Sequence, residues 1–204
     1  MAIPTKCEMP DLSSLKFPLM GLLIVQLLVG EHGLSKNASL YRKNFIRLFD
    51  KALREYHDSR EAILADIEEA KGQGKGGRRL HFIAFTDHIE TCINAISRLY
   101  KLLERIKSEE ESPAFPRALR KLIKTKSESI ANIRNAVEHM DEQIQKGELA
   151  QGKPIMLTVS ENGDGILISE YEIKFIDLSM ILRTFHEIAQ YILTTKKMEL
   201  TVSP

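Results

Sequence analysis

The stretch that decides the fold is Ile130-Ala131-Asn132-Ile133-Arg134-Asn135-Ala136-Val137-Glu138-His139-Met140-Asp141-Glu142-Gln143-Ile144. Its apolar residues recur at steps of three and four positions, which is the spacing of one face of an α-helix. These residues are Ile130, Ile133, Val137, Met140 and Ile144. The stripe predicts a helix with this face in the core. Each residue turns the helix by about 100°, so Asn135 and His139 are predicted to face outward, opposite the stripe, with Arg134 on its flank.

This helix is predicted to begin at Pro116 and to run to Gly147, where glycine is a natural stop. Two long helices are predicted before it, joined by a glycine-rich turn that begins at Gly72. The apolar stripe of the first consists of Tyr41, Phe45, Leu48, Ala52, Tyr56, Ile63, Ile67 and Ala70. The stripe of the second consists of Phe82, Phe85, Ile89, Cys92, Ile96, Leu99, Leu103 and Ile106. A short link between two such helices predicts an antiparallel hairpin.

Beyond Gly152 the apolar period changes from helical spacing to alternation, which predicts a β-hairpin around the turn at 160–165. The segment 171–175 alternates as well and suggests a third strand or an extension of the hairpin. Asp177 is a candidate cap for a last helix, in which Ile181, Phe185 and Ile188 face the core. Lys126 falls on the apolar side of its own helix, so a bend or a change of face is expected there.

The predicted fold is mainly α: a bundle of about four long helices in antiparallel hairpins, with a small β-hairpin before the C-terminal helix. We expect one domain over 1–204, with the bundle helices that carry the central stretch at 34–151, the β-hairpin insertion at 152–176 and the C-terminal helix at 177–197. The insertion is free, on sequence grounds, to project as a flap.

The amino-acid composition limits the classes of function that the chain can have. The 204 residues are 43% hydrophobic and 28% charged with a net charge of +1, which is typical of a soluble globular protein with no general attraction to nucleic acid or membranes. Cys7 and Cys92 are too few and too far apart for a disulfide framework or a zinc knuckle, and a reducing cytoplasm is the expected location. The apolar run 19–29 is shorter than the roughly 20 residues of a membrane span, and acids and prolines precede it. It is predicted to be a buried or partner-covered helix.

An arginine, a polar residue and, four positions later, a histidine make up the pattern Arg134-Asn135-Ala136-Val137-Glu138-His139. This pattern resembles the signature of the HEPN superfamily, all-helical proteins that include metal-independent RNases of toxin–antitoxin and phage-defence systems. The resemblance implies attack of a ribose 2′-hydroxyl on the adjacent phosphate, with no metal and no cofactor. It assigns proton transfer to His139, charge stabilisation to Arg134 and orientation to Asn135. It also implies a homodimer whose motifs line a common cleft, and an antitoxin or nucleotidyltransferase as a possible partner.

Two other interpretations of the motif stay open. Arg134 and Glu138 are four positions apart and can form an ordinary surface ion pair, and an exposed histidine often has no special role. The chain would then be a non-catalytic HEPN-like helical interaction module, acting as a dimeric scaffold or binding a partner protein.

The same helix carries basic residues upstream of the motif. Arg117, Lys121 and Lys124, here called the basic track, are predicted to share the outward face with Asn135 and His139. Such a row could neutralise successive phosphates of an RNA. Glu128 and Glu142 fall on the same side, however, and a basic helical face is often only solvated surface.

Other catalytic patterns are weaker. His186-Glu187-Ile188-Ala189-Gln190 lacks the second histidine of a zinc protease motif. His81 and His88, with Asp87 nearby, are too far apart along a helix to chelate one ion together. The glycines around Lys75 do not form a phosphate loop, because a helix precedes them and Gly76 follows the lysine. No nucleophile elbow is present.

Overall fold

The computed structural model describes residues 5–15, 19, 21, 24, 34–72, 81–110, 112–149 and 151–194. After a 3-10 turn at Ser13–Leu15, these residues form helices α1 (Lys36–Gly72), α2 (His81–Lys107), α3 (Arg117–Glu138), α4 (Met140–Lys146) and α5 (Phe175–Thr194). Strands β1 (Thr158–Val159), β2 (Gly165–Ile168) and β3 (Tyr171–Lys174) precede α5. The fold is mainly helical with a small sheet before the C-terminal helix, which confirms the predicted class.

Two predicted segments lie wholly or largely outside the described residues. The glycine-rich turn between α1 and α2 lies outside the described residues, and so does most of the apolar run 19–29. Within that run Leu19, Gly21 and Ile24 are helical, with Leu19 buried and Ile24 exposed. Among the described residues, no helix has the length and apolar character needed to cross a membrane.

Helices α1 and α2 pack side by side and provide a large part of the core, as their apolar stripes predict. Helix α5 packs against α1 and closes the core with aromatic contacts. The ring of Phe185 lies edge-on to two others, 5.8 Å from Phe45 and 5.1 Å from Tyr100 between ring centroids. Such edge-to-face pairs add to the free energy of burial. Phe185 therefore joins α1, α2 and α5 at one point.

The sheet is antiparallel in the order β1-β2-β3, so a third strand does follow the hairpin. Ile166 of β2 is paired with Val159 and with Ile173. These side chains are buried, and β2 and β3 contact α3 and α5. The sheet is thus part of the common core, and the idea of a projecting flap is wrong because its apolar face is covered by helices.

Helix α5 begins at Phe175, so Asp177 lies within its first turn instead of capping it. The predicted cap was therefore misplaced by three residues, because the residue before the helix is Lys174. The Asp177 carboxylate lies 3.0 Å from Nζ of Lys126, and both side chains are about three-quarters buried. This ion pair joins α3 to α5 and explains why a lysine occupies the apolar side of α3. An acid in the first turn also interacts favourably with the helix dipole.

Residues 5–15, here called the N-terminal strap, lie across α1 and the β1–β2 turn. The backbone N–H of Glu8 donates to the Gly163 carbonyl at 2.6 Å. From α1, the Tyr56 hydroxyl donates to the carbonyl of Pro10 at 2.9 Å, and Nε of Arg60 donates to the carbonyl of Met9 at 2.9 Å. Gly163 has a φ of 72°, and a Cβ there would collide with the Lys6 carbonyl. The turn and the strap therefore fit together only with glycine at this position.

Candidate functional site

The HEPN-like motif lies at a break in the helix that carries it. Helix α3 ends at Glu138, α4 begins at Met140, and His139 between them has φ −107° and ψ 13°. These angles lie in the bridge region, where active-site residues are often found. The N–H of His139 still donates to the Asn135 carbonyl at 2.9 Å, and that of Gln143 donates to the His139 carbonyl at 3.1 Å. The break, here called the kink, is therefore a single residue with non-helical angles across which backbone hydrogen bonds continue, and the predicted unbroken helix to Gly147 is wrong at this residue.

The kink changes which side chains are buried. Ile130, Ile133 and Met140 are buried as predicted, and Val137 is partly buried against the core. Ile144 is 50% exposed, however, so its predicted place in the core is wrong. Ile144 belongs to the short helix α4, beyond the break at His139. An apolar side chain is thus left on the surface about one turn beyond the motif.

The motif side chains face outward, which confirms the helical-wheel prediction. Asn135 is exposed, the His139 side chain is 56% exposed and Arg134 is half-buried on the flank. The Arg134 guanidinium is hydrogen-bonded to the Glu138 carboxylate, the surface pair that the sequence also allowed. Nδ1 of His139 lies 3.5 Å from Oε1 of Glu142. Each of the two ionisable groups therefore has an acid about one turn away.

These ion pairs are weak enough for a phosphate group to replace the acid as a partner. An ion pair between exposed side chains contributes about 1 kcal/mol or less to stability. A phosphate group offers the guanidinium of Arg134 a charge-assisted, bidentate contact that is stronger than this. The arrangement can therefore bind a phosphate at Arg134 beside the exposed imidazole of His139.

The basic track is exposed along α3. In the part of the chain that the structure describes, Arg117, Lys121 and Lys124 form no ion pair, in contrast to Lys126. About 16 Å of helix separates Lys124 from Asn135, at roughly 1.5 Å per residue. Glu128 is exposed between them. A bound RNA would have to cross this acid to reach the motif.

The structure also places the histidines that the sequence left open. His186, from the incomplete zinc protease pattern, is buried with its ring 5.7 Å from that of Phe49, and burial lowers its pKa. It is a core residue. Nδ1 of His88 lies 2.8 Å from Oε2 of Glu55, and Asp58 is close by. Sequence reasoning missed these two acids, although their spacing of three on α1 puts them on one face.

The chain matches no protein-family model, no curated protein and no solved structure. The HEPN resemblance therefore rests on the six-residue motif and on its helical setting.

Proposed function

We propose that the chain is a HEPN-like, metal-independent endoribonuclease of the type found in toxin–antitoxin or phage-defence systems. The observation that carries the proposal is the exposed placement of Asn135 and His139 one turn apart at a helix kink, with the Arg134 guanidinium beside them. These are the three residues that the resemblance assigns to the reaction.

In this reaction the ribose 2′-oxygen attacks the adjacent phosphorus and the bond from phosphorus to the 5′-oxygen breaks. The products are a 2′,3′-cyclic phosphate and a 5′-hydroxyl. One imidazole takes the proton of the 2′-hydroxyl and a second group gives a proton to the leaving oxygen. Arg134 stabilises the charge that develops on the phosphate, and Asn135 orients His139 or the substrate. In a dimer, His139 of a second copy can provide the second proton-transfer group.

The test is cleavage of RNA by the purified chain in excess chelator, followed by analysis of the product ends. We expect cleavage to continue and to leave cyclic phosphates and 5′-hydroxyls. Products with 5′-phosphates would contradict the proposal, because they come from attack by water and not by the ribose.

The proposal includes a homodimer, and Ile144 is the side chain that favours it, since an exposed isoleucine lies beside the motif. We expect a dimer at micromolar concentration in analytical ultracentrifugation and a shift toward monomer in Ile144→Asp. Leu40→Asp is the matched control, because Leu40 is equally exposed but on α1. A monomeric wild-type chain would count against the shared cleft.

A non-catalytic HEPN-like interaction module is the second candidate. It is favoured by the pairing of Arg134 with Glu138 and by the exposed Ile144, both of which suit a contact surface. Expressing the wild-type chain and His139→Ala side by side separates the two. Equal growth and equally intact total RNA would favour the module, while growth arrest and RNA loss confined to the wild type would favour the nuclease.

The basic track can be tested apart from catalysis. Changing Arg117, Lys121 and Lys124 together to glutamate should weaken RNA binding and reduce the slope of log K against log salt by about 2, since each phosphate contact on single-stranded RNA contributes about 0.7. Stability should change by about 1 kcal/mol or less. The measurement is a salt titration of RNA binding in which every protein also carries His139→Ala, so that the RNA is not cleaved.

The control for the track is charge reversal of three exposed basic residues on another helix. Arg98, Lys101 and Arg105 on α2 have similar helical spacing. This control should change the salt slope less than the track variant does. If the two triple variants have the same slope, the track is solvated surface and binds no phosphates.

A further inference from the structure

A second cluster of side chains that can bind a metal lies between α1 and α2, apart from the motif. Glu55 and Asp58 project from one face of α1, and His88 approaches them from α2. Nδ1 of His88 is 2.8 Å from Oε2 of Glu55, and one donor atom from each of the three residues lies within 4.8 Å of the other two. All three are half-buried, with 15% of the Glu55 side chain and 37% of the His88 side chain exposed.

The charges of this cluster are not balanced by its own members. The Asp58 carboxylate makes no hydrogen bond or ion pair with any residue in the described ranges, yet it lies beside a second carboxylate. Two carboxylates brought together away from bulk water repel each other. The imidazole of His88 can offset at most one of the two negative charges. A divalent cation would offset both.

We propose that Glu55, Asp58 and His88 bind a divalent transition-metal ion of the Zn²⁺ class. One nitrogen and two oxygens make a mixed ligand set, and an imidazole favours Zn²⁺ over Mg²⁺ or Ca²⁺. Metal–ligand distances of about 2.0 to 2.2 Å place the donors of a tetrahedral site about 3.3 Å apart. His88 Nδ1 lies 2.8 Å from Glu55 Oε2, and the other separations are no more than 4.8 Å, so side-chain rotations can bring the donors to this value. Water takes the fourth position.

The ion would join α1 to α2. Glu55 and Asp58 lie just past the centre of α1, and His88 lies two turns into α2. An ion that binds only the folded chain stabilises it by mass action. This role is structural and independent of the proposed RNase, whose motif lies on α3 and α4.

The test is thermal unfolding of the metal-free chain with added ZnCl₂. At a free Zn²⁺ concentration about 100-fold above Kd, the midpoint should rise by roughly 5 to 10 °C. Asp58→Asn should be at least as stable as the wild type without metal, since the carboxylate it removes has no partner in the described part of the chain, but its Zn²⁺ affinity should fall by about 10-fold or more. His88→Gln should lose Zn²⁺ affinity as well.

Glu142→Gln is the matched control, because His139 and Glu142 form a histidine–carboxylate pair that belongs to no three-residue cluster of metal-binding side chains among the residues the structure describes. Its unfolding midpoint should rise with Zn²⁺ as much as that of the wild type. Mg²⁺ at the same concentration should leave the midpoint of the wild type unchanged. The proposal is overturned if Zn²⁺ leaves the wild type unchanged, if it stabilises Asp58→Asn equally, or if Mg²⁺ acts as strongly. The RNA cleavage assay in excess chelator is repeated with Asp58→Asn. This comparison distinguishes loss of the bound ion from failure of the proposed RNase.

Discussion

Replacing His139 with alanine is expected to slow RNA cleavage by about 100- to 10,000-fold, the usual contribution of a general acid–base group. The side chain is exposed, and Glu142 is the partner that the structure records for it, in a long and weak contact. Its removal should therefore leave stability almost unchanged. The measurement is the single-turnover rate with saturating enzyme, which separates the chemical step from RNA binding.

Glu142→Gln is the control for this prediction, since it removes the acid beside the imidazole and leaves the imidazole in place. We expect its rate to stay within about 10-fold of the wild type. Cleavage that persists undiminished in His139→Ala would remove this histidine from the reaction, and the activity would then have to come from another group or from a contaminating nuclease.

Replacing Phe185 with alanine is expected to lower the free energy of unfolding by about 3 to 5 kcal/mol, the usual cost of a large cavity in a core. The ring is fully buried and contacts aromatic rings from α1 and α2. The cavity would thus loosen three helices at once. Urea unfolding followed by circular dichroism measures the change, provided that the slope with urea stays constant.

Tyr100→Phe is the control in the same aromatic cluster. The Tyr100 hydroxyl is buried and has no hydrogen-bond partner among the residues the structure describes, and burial raises its pKa. Removing this oxygen leaves the ring in place, so stability should stay the same or rise by up to about 1 kcal/mol. If Phe185→Ala lowers the free energy of unfolding by no more than Tyr100→Phe changes it, the rings do not hold the helices together.

The sequence predicted the helices well because their apolar stripes are local and regular. The start of α3 after Pro116 and the end of α4 at Gly147 follow from backbone preferences of these two residues, and Gly147 indeed has a φ of 67°. The outward placement of Asn135 and His139 also follows from helical spacing alone. The role of these side chains does not follow from helical spacing, because spacing carries no information about a reaction.

The features that the sequence missed depend on contacts between distant segments. The kink at His139 leaves most of the local hydrogen bonds intact and has no glycine or proline to mark it. Lys126 is explained by Asp177, about fifty positions later, and His88 meets Glu55 and Asp58 through the α1–α2 hairpin. Each pairing needs the relative positions of two elements, which periodicity does not give.

The N-terminal strap has a consequence for how the chain is made. Its hydrogen bond from Glu8 to Gly163 joins two segments that leave the ribosome far apart in time. At about 5 to 20 residues per second, the strap waits roughly 10 to 30 seconds for the turn that receives it. During that interval Leu12, which is fully buried in the finished protein, has only part of its final surroundings. The strap is therefore among the segments that reach their native contacts well after their own synthesis.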